Sequence, residues 1–109
     1  MERLGPDAFQ GDRLRRPGVW AVAFVADWCP FCRSFVPEFE NLRGSGTFEI
    51  ATADLTEDDD PLWEQFGVEV VPTVVVFRDG AVVFRRDGRL GRGLGASDLS
   101  ALRGALTKG

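Results

Sequence analysis

A chain of 109 residues, 44% hydrophobic and 28% charged, has the size of one domain with one core and the composition of an ordinary folded protein. Its formal charge of −4 speaks against nucleic acid or an anionic membrane as a partner, and no apolar run approaches the ~20 residues needed to cross a bilayer. Histidine is absent, which removes the usual general base near neutral pH, and two cysteines cannot build a scaffold of several disulfides.

The opening Met1 to Asp7 lacks the apolar core of a secretory signal, so the expected location is cytoplasmic, although a mature form trimmed of its leader reads the same way. Gly5-Pro6-Asp7 marks a turn and a helix start, with Ala8, Phe9 and Leu14 as a weak apolar face. Arg13, Arg15 and Arg16 before Pro17-Gly18 read as solvated surface rather than an anion site. Val19 to Ala26 is almost wholly apolar and predicts a central strand covered on both faces. Phe35, Phe39 and Leu42 then recur at helical spacing, opposite Arg33, Glu38, Glu40 and Arg43. Pro37 should bend this helix, because it lacks the N–H for one backbone bond, and Gly44-Ser45-Gly46 should stop it.

Phe48 to Leu55 is a second strand. The acidic run Glu57 to Asp60 suits the start of a short helix, Leu62 to Phe66, that ends at Gly67. Calcium binding by that run is set aside, since the EF-hand spacing is missing. Val74 to Phe77 and Ala81 to Phe84 flank Asp79-Gly80, a strong hairpin signal. Residues 85 to 95 read as strand end and loop, with Arg85, Arg86, Arg89 and Arg92 exposed. Their interspersed glycines suggest an RNA tract, which the acidic total and the lack of interleaved aromatics oppose. Ser97-Asp98 caps a last helix with Leu99, Leu102 and Leu106 on one face. The predicted order is helix, strand, helix, strand, helix, strand, strand, helix. It makes a single domain over 1–109, an α/β sandwich around a mixed sheet.

The two cysteines stand in Trp28-Cys29-Pro30-Phe31-Cys32, between the apolar strand and the first long helix. A thiol at a helix N-terminus sits among unpaired N–H groups at the positive end of the helix dipole. That favours the thiolate, the species that attacks a disulfide, and so points to reversible dithiol–disulfide exchange.

This order of elements, with Trp28-Cys29-x-x-Cys32 at a strand-to-helix junction, resembles the thioredoxin family from about Ala8 to Leu106. Val71-Pro72-Thr73 matches the family's second signature, in which a cis-proline faces the two sulfurs, and Pro37, the Asp79-Gly80 hairpin and a glycine at 91 or 93 fall where the family has them. The resemblance implies the thioredoxin fold, a central mixed β-sheet flanked by helices on both faces. It implies a thiol–disulfide oxidoreductase with Cys29 as exposed nucleophile and Cys32, one turn inside, as resolving thiol. Trp28, Pro30, Phe31, Val71, Pro72, Gly91 and Gly93 would bind the substrate in a shallow apolar groove, where the Val71 backbone pairs with an extended segment. Trp20 and Trp63 have no such match and read as packing residues. The implied partners are disulfide-containing proteins and an upstream thiol reductant, either thioredoxin reductase or glutathione. No cofactor, nucleic acid or membrane is expected, and the chain is expected to be a monomer.

Three departures stand out. The dipeptide between the cysteines is Pro30-Phe31, not the Gly-Pro of typical thioredoxins, and looks more like glutaredoxins and some disulfide-exchange proteins. The family's buried aspartate, six positions before the first cysteine, is here Ala23, and its lysine partner falls near Thr52 or Ala53. Losing both members of a buried ion pair is compatible with a sound fold, since a lone buried charge costs more than an apolar replacement. Two rivals share this scaffold: a non-catalytic binding or adaptor module, and a glutaredoxin-like protein that uses glutathione or holds an iron–sulfur cluster. Zinc is disfavoured by two sulfurs and no imidazole.

Overall fold

The computed structural model describes residues 1–44 and 46–107. In chain order it gives β1 (Glu2–Leu4), a 3-10 turn (Pro6–Ala8), β2 (Phe9–Gln10), β3 (Arg13–Leu14) and β4 (Val19–Val25). Then follow α1 (Pro30–Glu40), β5 (Glu49–Asp54), α2 (Pro61–Gln65), β6 (Thr73–Arg78), β7 (Ala81–Arg86) and α3 (Ala96–Thr107). The apolar run becomes β4, the middle strand of a five-stranded sheet ordered β1-β5-β4-β6-β7. It pairs in parallel with β5 and antiparallel with β6, so the sheet is mixed as predicted.

Alternation along β4 sorts the core into two layers. Ala21 and Ala23 face Phe35 and Phe39 of α1 and Leu102 and Leu106 of α3. Val22 and Phe24 face the other way, onto Leu62 of α2, Phe66, and Phe9 and Leu14 of the small β2–β3 hairpin. Helices therefore cover both faces, which is the thioredoxin fold.

The helix predicted from Gly5-Pro6-Asp7 amounts to one 3-10 turn, Pro6–Ala8, and does not continue towards Leu14. Phe9 and Leu14 are five residues apart and would point to different sides of a helix, but in the β2–β3 hairpin they are register partners and enter the core together. The residues before them form β1, parallel to β5 at the sheet edge.

The helix α1 carries Pro37 inside it as predicted, but ends at Glu40 with Asn41 as C-cap, so Leu42 is buried from the following turn. Of the predicted stop, Gly44 has φ of 81° and Ser45 lies outside the described residues. Asp60 caps α2 by accepting the Leu62 N–H at 2.9 Å, and Asp79 (φ 49°) and Gly80 (φ 91°) make the hairpin turn. The helix α3 begins at Ala96, ahead of the predicted Ser97-Asp98 cap. Asp98 instead reaches back from the first turn to accept the Gly95 N–H at 2.8 Å.

Candidate functional site

Strand β4 delivers the chain to the site. Beyond Val25 the backbone turns through Asp27 and Trp28, and Cys29 becomes the N-cap of α1 with extended φ/ψ of −93° and 112°. Pro30 opens the helix, where its missing N–H costs nothing and its fixed φ suits the first turn. The Cys29 Sγ accepts the N–H of Cys32 at 3.2 Å and donates to the carbonyl of Val71 at 3.4 Å. Both cysteines are free thiols.

Cys29 is not exposed as predicted. It and Cys32 are each only 3% exposed, because the Cys29 sulfur is folded back between the first turn of α1 and Val71 instead of pointing outward. The two thiols still differ in setting. Cys32 lies inside the helix, where burial above all pushes its thiol up to about 12. Its hydrogen bond with Cys29 and that neighbour's charge push the same way, and a backbone hydrogen bond from Ala26 partly opposes them.

The Val71–Pro72 peptide is cis, and Val71 and Pro72 are both buried against the cysteines' side of the molecule. Thr73 secures this segment, donating its hydroxyl to Val70 O at 2.7 Å and accepting the Gly88 N–H at 3.3 Å. Gly88 was not among the predicted site residues, yet any Cβ there would collide with the carbonyl of Pro72.

Around the sulfurs runs an apolar rim. Trp28 is 53% exposed, donates its Nε1–H to Thr56 O at 2.9 Å, and stacks on Trp63 with centroids 6.4 Å apart. Trp63 packs on the core as predicted and also backs the rim, held by its own Nε1–H to Glu57 O at 3.0 Å. Phe31 is partly exposed and lies against Gly93, where an added Cβ would come within 2.7 Å of the Phe31 Cβ. Gly91 touches nothing in this way. It takes a φ of 76° in the same loop, so its contribution is the turn. Beside it Leu90 is 88% exposed, an apolar side chain on the loop that sequence periodicity has no means of marking.

The loop is anchored from behind. Asp98, itself buried, pairs with Arg86 Nε at 3.2 Å and Arg89 at 3.8 Å. Arg85 pairs with Asp87 at 2.7 Å and also donates to Phe66 O and Gly67 O. Arg85 and Arg86 are therefore half-buried and engaged, not exposed as predicted. Ala23 and Thr52 are register partners on β4 and β5, both buried, so the position of the absent ion pair holds two short uncharged side chains. Among the described residues no group of three or more His, Cys, Asp or Glu is placed to hold a metal ion.

Comparison with known proteins agrees with this geometry. The thioredoxin family model matches residues 3–97. A thioredoxin of Rhodospirillum rubrum is 31% identical over 91 residues, covering 83% of this chain and 88% of that one. A protein disulfide-isomerase A6 homolog of Drosophila melanogaster is 35% identical over 75 residues, 68% of this chain but 17% of that protein's length. Among solved structures, thioredoxin f2 of Chlamydomonas reinhardtii superposes with a TM-score of 0.79 at 22% identity, covering 100% of this chain and 98% of that one. A thioredoxin f2 in complex with ferredoxin:thioredoxin reductase superposes with a TM-score of 0.74 at 22% identity, covering 95% and 92%.

Proposed function

We propose, from the premise that the chain belongs to the thioredoxin family and is a thiol–disulfide oxidoreductase, that Cys29 is its nucleophile and Cys32 its resolving thiol, acting on protein disulfides. One observation carries the assignment. The Cys29 sulfur caps α1 and accepts the Cys32 N–H, a bond that strengthens as negative charge develops on sulfur, while Cys32 sits one turn deeper in a setting that holds its proton.

The Cys29 thiolate attacks one sulfur of a substrate disulfide and expels the other as a thiolate. Cys32 loses its proton and attacks the Cys29 sulfur, so the Cys29–substrate bond breaks and the second substrate thiolate leaves. The substrate gains two electrons, and the protein is left as the Cys29–Cys32 disulfide. Once Cys29 has lost its proton, the Val71 carbonyl is free to accept an N–H from an extended substrate segment. Trp28 and Phe31 supply apolar contact around it.

A thiol reductant, a reductase or glutathione, returns the disulfide to the dithiol. The solved complex of a thioredoxin f2 with its reductase supports that class of partner. The test is insulin reduction with dithiothreitol as donor. The wild type should accelerate it, Cys29→Ser should abolish the acceleration, and Cys32→Ser should accumulate mixed disulfides that gels resolve under non-reducing conditions. A chain that only binds partners would form no covalent intermediate.

A further inference from the structure

Resolution requires Cys32 to shed a proton, because the thiolate and not the thiol attacks a disulfide sulfur. Cys32 is buried, and the short side chains of Ala23 and Thr52 bring no ionisable group to its side of the sheet. They do leave room. An open cleft of about 520 Å³ lies between α1 and the sheet, lined by Cys32, Val36 and Pro37 on one side and by Arg3, Thr52 and Asp54 on the other. At about 30 Å³ per water, it has space for a solvent path to the thiol.

The charged side chains on this cleft come from every neighbouring element: Arg3 from β1, Asp27 from the loop before α1, Arg33 and Glu40 from α1, and Asp54 from β5. Asp54 differs from the other two carboxylates in being partly buried and fixed by hydrogen bonds to its carboxylate. Its Oδ1 accepts the N–H of Thr56 at 2.9 Å and the Thr56 hydroxyl, and its Oδ2 lies 3.7 Å from Arg3. It shares a strand face with Thr52, one repeat (roughly 6.6 Å) further along β5. Asp27 and Glu40 are exposed, and Glu40 is 4.0 Å from Arg43.

We propose that Asp54, fixed by Thr56 and Arg3, is the proton acceptor for Cys32 during resolution, reached through solvent in this cleft. The inference rests on the exchange reaction above and deepens it. The Cys32 proton passes through water to the Asp54 carboxylate. The Cys32 sulfur then forms the bond to Cys29 with the electron pair left behind, the bond from Cys29 to the substrate breaks, and the departing thiolate takes a proton from solvent.

Stopped-flow reaction of the reduced protein with 5,5′-dithiobis(2-nitrobenzoate) separates the steps. Attack by Cys29 releases a first thionitrobenzoate, and resolution by Cys32 releases a second. Asp54→Asn should slow the second release at least about ten-fold at pH 7 without slowing the first, and its residual rate should rise with hydroxide. Asp54→Glu should recover part of the rate, and Glu40→Gln should keep both rates. An unchanged second release in Asp54→Asn overturns the proposal. So does equal slowing of both steps with altered Trp28 emission, because Asp54 would then act only by holding Thr56 under Trp28.

The wild type carries the test independently of how any variant folds. Its second release should level off near neutral pH, as transfer to an ionised carboxylate requires, and not climb steadily with hydroxide. A continuous ten-fold rise per pH unit overturns the proposal. Absence of any first release refutes the exchange reaction itself.

Discussion

The Cys32 sulfur keeps its proton to about pH 12 in the fold, against an ordinary value of 9.0. Below pH 9 folded and unfolded chains both hold that proton, and the thiol gives stability no pH dependence. Between 9 and 12 the unfolded chain releases it while the folded chain retains it. Stability therefore falls as pH rises, by at most about 1.4 kcal/mol per pH unit. Urea denaturation of the reduced protein at pH 8, 9.5 and 11 should show this decline, and Cys32→Ala should lack the part due to this thiol. The cysteine pair and Pro72 are legible in the sequence because short motifs mark them. Trp63 is not, because it owes its place behind the rim to its stacking on Trp28, a contact that only folding creates.

Among the elements, the loop between β7 and α3 is held at several points. Gly88 abuts Pro72, Gly93 abuts Phe31, and Asp98 grips Arg86 and Arg89. Gly93→Ala would set a Cβ 2.7 Å from the Phe31 Cβ at a φ of 66°, so nothing relieves the collision without moving the loop or the ring. The expected cost is about 1–3 kcal/mol of stability, measured by denaturant titration. Insulin reduction should show a raised KM with a smaller effect on kcat. The central strand, the hairpin and the three helices can be predicted from periodicity and turn chemistry. The β2–β3 hairpin cannot, since two apolar residues around a glycine carry too little pattern to choose between helix and hairpin. The start of α3 is misplaced by two residues because Asp98 is a strong cap former that serves from inside the first turn.

For the molecule as a whole, the face of the sheet opposite α1 and α3 is closed by an aromatic cluster. Phe9 lies 5.1 Å from Phe66, 5.9 Å from Phe77 and 6.1 Å from Phe24, centroid to centroid, and so fastens the amino-terminal hairpin to the sheet. Phe9→Ala should cost about 3–5 kcal/mol in chemical denaturation, while the dithiol chemistry persists at temperatures where the variant stays folded. The stacked Trp28 and Trp63 have a different consequence. Of the three tryptophans, two sit together beside the sulfurs, and Trp20 lies at the far end of β4, separated from Val25 by roughly 17 Å of extended chain. Ultraviolet emission thus carries its own label-free gauge: the paired indoles register whatever docks on or oxidises the lip, and the distant one stays as a steady background.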